Sequence, residues 1–107
     1  MATLDYSRAA TDKIIIEVDS KWDAVIDVTR DDSGSVDFTD KTIKMDIMTK
    51  HGQTPVVTLT SGTDITISTN RLTFSKTFTE LSRRGYVYEL YNDTDDISIS
   101  KGELLAI

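Results

Sequence analysis

Gly85-Tyr86-Val87-Tyr88-Glu89-Leu90-Tyr91-Asn92 is the stretch whose reading decides the fold. In an extended chain successive side chains point to opposite faces, so Tyr86, Tyr88 and Leu90 share one face while Val87, Glu89 and Tyr91 share the other. The segment reads as a central strand with an aromatic inward face. Immediately before it, Thr79 to Arg84 breaks the alternation and reads as a corner, with Leu81 pointing inward as a plug. Tyr86 then sits directly after a corner, the place where a buried ring can bond its hydroxyl to nearby backbone.

Outward from that strand the chain is a series of short strand-like runs separated by turn residues. Lys13 to Val18 carries three consecutive isoleucines and is expected to be buried on both faces or to pass between layers. Trp22 to Arg30 alternates, with Trp22, Ala24, Ile26 and Val28 facing one way, and Asp31-Asp32-Ser33-Gly34 closes it as a hairpin signal. Thr42 to Lys50 places Ile43, Met45 and Ile47 on one side and Thr42, Lys44 and Asp46 on the other, the half-solvated pattern of an antiparallel sheet. Val56 to Thr60 follows, with Pro55 at its entry, where a missing amide donor does least harm. Ile65 and Ile67 come next, then a strand from Leu72 through Phe74 to Phe78. Ile97, Ile99, Leu104 and Ile107 complete a last strand or a pair bent around Gly102. Seven or eight strands at spacings of roughly 8 to 12 residues predict an all-β sandwich or barrel.

The chain has 107 residues and a mass of 11.9 kDa, enough for one domain with a single core. With three Phe and one Trp, that core must lean on Ile, Val, Leu and the four Tyr. The absence of cysteine excludes a disulfide framework, a thiolate metal site and a Cys nucleophile. A net charge of −6 argues against a nucleic-acid surface, whose affinity comes from Lys and Arg displacing counterions. Apolar runs such as Ile14 to Ile16 fall far short of the roughly 18 residues a membrane span needs, so no membrane partner is expected. The N-terminus carries no apolar signal region, so the product, made in the cytoplasm, is not expected to be sent through a Sec-type pathway by its own sequence. Met1 to Asp12 is polar apart from Leu4 and Tyr6 and reads as an extended N-terminal arm preceding a domain over 13–107.

Candidate chemistry is thin. The turns Asp31-Asp32 and Asn92 to Asp96 are rich in calcium-type oxygens, but neither has EF-hand spacing, and Asp and Asn are ordinary turn residues. Asn92-Asp93-Thr94 matches a glycosylation acceptor, which reads as accidental without a signal peptide. His51 is the single histidine, and no G-x-S-x-G elbow accompanies it. Eighteen acids always offer some pair, so paired carboxylates carry no signal for glycoside hydrolysis. Catalytic residues, metal ligands and cofactors are therefore all expected to be absent. Trp22, Tyr86, Tyr88 and Leu90 are expected in structural roles, leaving Tyr91 as the lone outward aromatic of a saccharide platform. Arg83-Arg84 is the sole paired positive charge and suits an acidic partner surface.

Several segments resemble a family of small β-sandwich proteins of tailed bacteriophage virions. They are Val36-Asp37-Phe38-Thr39 leading into Thr42-Ile43-Lys44-Met45-Asp46-Ile47; Leu72-Thr73-Phe74-Ser75; Leu81 ahead of Gly85-Tyr86-Val87-Tyr88-Glu89-Leu90; and Ile99 through Gly102 to Leu105. The resemblance spans about residues 13 to 107 in the same order. It departs at Asp40, where the family usually has Gly, and in the N-terminal arm. It implies an immunoglobulin-like antiparallel sandwich that is a non-enzymatic structural component of the particle. Such a protein is an auxiliary decoration protein on the capsid or a tail or baseplate component, in several copies within a symmetric assembly. The expected partners are other virion proteins, with Leu4, Tyr6, Arg83 and Arg84 as contact residues. The alternative is a sandwich module that binds carbohydrate or a host surface.

Overall fold

The computed structural model describes residues 2–3, 6–7, 13–30 and 36–107, and among them there is strand but no helix. In chain order the strands are β1 (Ala2–Thr3), β2 (Tyr6–Ser7), β3 (Ile14–Ile16), β4 (Lys21–Asp27), β5 (Thr29–Arg30), β6 (Ile43–Met48), β7 (Val57–Thr60), β8 (Ile65–Ser68), β9 (Arg71–Thr77), β10 (Gly85–Asn92) and β11 (Ile97–Ala106). The larger sheet runs β1-β11-β10-β6-β7, with β3 also on β11; the smaller runs β4-β9-β8. β10 is antiparallel to both neighbours, while β1 and β3 both lie parallel to β11, on its first and last residues respectively.

The inward rows of the two sheets meet in one core, a sandwich-like arrangement. Ile43, Met45, Ile47, Leu59, Tyr88 and Leu90 come from the larger sheet and Ile65, Leu72 and Phe74 from the smaller, with Trp22, Ala24 and Ile26 packed at its margin. Each fully buried Ile, Leu or Phe contributes about 1.5–3 kcal/mol of transfer free energy, so the period-2 rows fix which face of each strand turns inward. A register shift between Leu90 and Tyr91 leaves Ile99 as an extra residue on β11. That bulge turns Ile99 into the core beside Ser100, which strict alternation would forbid.

Two expectations are corrected. The triple isoleucine is not buried on both faces: Ile16 is buried, but Ile15 is 56% exposed. β3 is an edge strand with one face on the core and the other on solvent, which hydrophobicity alone does not distinguish from a central strand. Phe78 lies just past the end of β9 while remaining fully buried. Of the two forms expected for the last segment, the single strand is the one present, ten residues long and unbroken at Gly102. The turn at Asp40 keeps a left-handed backbone with φ of 64°, so Asp occupies a conformation that glycine adopts most freely.

Of the expected N-terminal arm, Ala2–Thr3 is paired to Ile97 and Ser98, and Tyr6–Ser7 to Thr29 and Arg30. These two dipeptides run along the domain. Leu4 and the Asp31-Asp32-Ser33-Gly34 turn lie outside the described residues.

Candidate functional site

The aromatic stretch builds the interior and one corner. Tyr86, Tyr88 and Leu90 are buried, and Trp22 packs against Phe74 and Phe78 with ring centroids 5.5 and 5.9 Å apart. After Leu81 enters the core, the backbone N–H of Ser82 donates to the Tyr86 hydroxyl at 2.9 Å. That bond holds the 79–84 corner against the first turn of β10. Tyr88 stands opposite Gly102, and the hydroxyl of Ser100 donates to the Tyr88 hydroxyl at 3.3 Å.

On the outside of this corner lie Arg83 and Arg84, both exposed. Arg84 is pinned: its guanidinium lies 5.4 Å from the Tyr86 ring centroid, and Nε donates to the Gly85 carbonyl at 3.2 Å. Arg83 makes no ion pair with any described residue. Gly85 faces Leu105 across the β10–β11 ladder, Leu105 faces Ile15, and the N–H of Ala106 donates to the Arg84 carbonyl at 2.9 Å. Ile15, Leu105 and Ile107 therefore share the outer face beside the arginines, with Ile15 and Ile107 more than half exposed. A shallow groove lined by Lys13, Thr49, Gly85, Val87, Glu103 and Leu105 adjoins them. The arginine pair was visible in the sequence; the isoleucines beside it were not, because only the β3–β11 register brings residue 15 to residue 105. Tyr6 lies in β2, opposite Arg30 and away from this corner in the pairing scheme.

The outer face of the larger sheet carries a polar network around Tyr91. Its hydroxyl donates to Oδ1 of Asp46 at 3.3 Å, and the same oxygen accepts from the Thr58 hydroxyl at 2.7 Å. Burial, followed by the charge and hydrogen bond of Asp46 and the charges of Asp93 and Glu89, pushes the Tyr91 phenol well above its usual range. On the smaller sheet Arg71 Nε and Oδ1 of Asp27 lie 2.8 Å apart, and that hydrogen bond holds the Asp27 carboxyl below its usual range. Glu80 is also lowered: burial opposes this, but its own N–H, the Lys76 ammonium and the Thr79 N–H together outweigh it.

In the acidic turn after β10, two of the three aspartates are paired with lysines from elsewhere in the chain. Lys41 Nζ lies 3.2 Å from Oδ2 of Asp95, and Lys44 Nζ lies 3.4 Å from Oδ2 of Asp93. Asn92 is 3% exposed, donates from Nδ2 to Asp95 at 2.9 Å and accepts from the Asp95 N–H, so this acceptor amide is spent inside the turn. Among the described residues no three His, Asp or Glu side chains gather as a metal site. His51 is exposed in the 49–56 turn. No buried side-chain nitrogen or oxygen among the described residues lacks a hydrogen-bond partner. The polar groups of the interior are thus committed to structure.

No protein-family model matches the chain, and no curated protein matches it significantly.

Proposed function

We propose that this chain is a non-enzymatic structural component of a tailed-phage virion, an immunoglobulin-like sandwich that docks through its surface. An auxiliary position on the capsid is the first location, with the tail or baseplate as the second. The immunoglobulin-like reading draws on the strand order: β4-β9-β8 faces β11-β10-β6-β7, β3 lies parallel to β11, and a tyrosine corner opens β10. The observation that carries the docking reading is the surface beside that corner. Arg83, Ile15, Leu105 and Ile107 present a basic and apolar area on an otherwise acidic protein, while Trp22, Tyr86 and Tyr88 are consumed by the core. Other virion proteins with acidic, partly apolar surfaces are the fitting partners.

The test is the composition of the particle. Purified virions of the phage that encodes the chain should contain it at a fixed copy number by quantitative mass spectrometry. Gold-labelled antibody should decorate one part of the particle. A chain found only in the infected-cell lysate, with none in the particle, would overturn the reading.

A saccharide-binding module is favoured by one feature, the outward Tyr91 with Asp46 and Thr58 hydrogen-bonded beside it. Binding on a glycan array that Tyr91→Ala abolishes, from a chain absent from particles, would replace the structural role with this one.

A further inference from the structure

We propose that two copies of this chain pair edge to edge through β3, antiparallel, about a two-fold axis at Ile15, joining their larger sheets into one. The inference rests on the β3 geometry and is independent of where the protein works. In the parallel ladder with β11, the Ile107 N–H donates to the Ile16 carbonyl at 2.9 Å and the Val18 N–H to the Ile107 carbonyl at 3.0 Å. Alternate residues of a strand direct both backbone groups to the same side, so the even-numbered residues of this stretch face β11. The N–H and C=O of Lys13 and Ile15 and the N–H of Glu17 therefore point to the opposite edge, where no described strand lies; the Glu17 carbonyl is taken by the Ser20 N–H at 3.2 Å. An edge that no described strand covers is a template for another strand.

The sequence across that edge is self-complementary. Lys13-Ile14-Ile15-Ile16-Glu17, set antiparallel against itself at Ile15, places Ile15 opposite its own copy in a hydrogen-bonded pair. Ile14 then falls opposite the second copy's Ile16, and Lys13 opposite its Glu17, twice by symmetry. Lys13, Ile15 and Glu17 are all exposed and share the outer face, and neither charge pairs with any described residue. Opposite charges directly across an antiparallel pair attract, and like charges repel. A parallel or shifted alignment would lose both ion pairs. The antiparallel one also continues the exposed apolar row from Leu105 and Ile15 into the same row of the second copy, as an isologous interface requires.

Sedimentation equilibrium of the full chain, from micromolar to millimolar, should show a species of twice the 11.9 kDa chain mass. Lys13→Glu or Glu17→Lys alone turns two attractions into two repulsions and should weaken the dimer about tenfold. The double reversal Lys13→Glu/Glu17→Lys should restore it, and mixing the two single variants should give a heterodimer. Ile15→Pro removes the outward N–H without touching the β11 ladder, so it should abolish dimers while circular dichroism and the thermal midpoint report a folded domain. A chain that stays monomeric throughout the range would overturn the proposal. So would a dimer indifferent to Ile15→Pro, or single reversals that weaken it without rescue by the double reversal.

Discussion

Replacing Gly102 by alanine would put a methyl carbon 3.0 Å from both Cε1 and the hydroxyl oxygen of Tyr88, and 3.2 Å from Cζ. Unstrained carbon contacts lie at about 3.5–4.0 Å, so the ring must retreat by about half an ångström. It has little room: Tyr88 is 2% exposed, and its hydroxyl is engaged by Ser100. Overpacking of this kind costs about 1–3 kcal/mol. At ~4–8 °C per kcal/mol for a domain of this size, the thermal midpoint should fall by roughly 5–20 °C. Urea unfolding should show the same loss as a lower midpoint concentration with an unchanged slope. Tyr88→Phe deletes one of the three close contacts, so a double-mutant cycle should return a favourable coupling of about 1 kcal/mol. Gly85 is the internal control, since nothing lies within 4 Å of its would-be Cβ. There alanine should be neutral or stabilise by ~0.4–1 kcal/mol through the unfolded state. Gly102→Ala within about 0.5 kcal/mol of the parent, or no coupling to Tyr88, would refute the packing argument.

Three further outcomes are expected. Tyr86→Phe keeps the ring but leaves the Ser82 N–H without its acceptor, and should cost about 1–2 kcal/mol in urea unfolding; an unchanged midpoint would remove the corner from the account. The Tyr91 phenol has a folded pKa raised above its unfolded value near 10.0, so its stabilising contribution is complete below that pH and is lost as pH rises above it. In an ultraviolet titration Tyr91 should ionise late, and Asp46→Asn should bring it down toward the ordinary range. Asp27 is shifted the other way, so its contribution is present above 3.8 and lost as pH falls through its lowered folded pKa. Carboxyl NMR should show that midpoint rising in Arg71→Met, with little change in global stability because both partners are more than half exposed.

What could be read in advance depended on whether a residue's neighbours were implied by its own strand. Ile43, Met45 and Ile47, and Tyr86, Tyr88 and Leu90, declared their inward face by alternation, because a one-residue slip would put every one of them in solvent. The corner announced itself through the break in pattern between Thr79 and Arg84. The Ile14–Ile16 run did not reveal its exposure, since three adjacent apolar residues look the same at an edge as in the middle of a sheet. The inward turn of Ile99 was not legible, because it depends on a bulge that alternation does not show. Arg83-Arg84 stood out as a charge pair, but its company of Ile15, Leu105 and Ile107 required a parallel register between residues some 90 positions apart. The acidic turn suggested a metal because its cations, Lys41 and Lys44, come from another part of the chain.

The parallel contact of β3 with β11 has a mechanical consequence. A load applied between Lys13 and Ile107 drags these two strands past each other along their length. The bonds that join them, including those of Ile107 to Ile16 and Val18 to Ile107, then share the force and must fail together. Handles on Ile43 and Thr60, at the open end of the antiparallel β6–β7 pair, would instead open it like a zipper, one bond at a time. Optical-tweezer pulling should therefore find a higher rupture force for the first geometry than for the second, and equal forces would dismiss the distinction. A domain loaded through its first and last strands would resist tension by shear, whatever its equilibrium stability, because forced unfolding is governed by the barrier to unfolding.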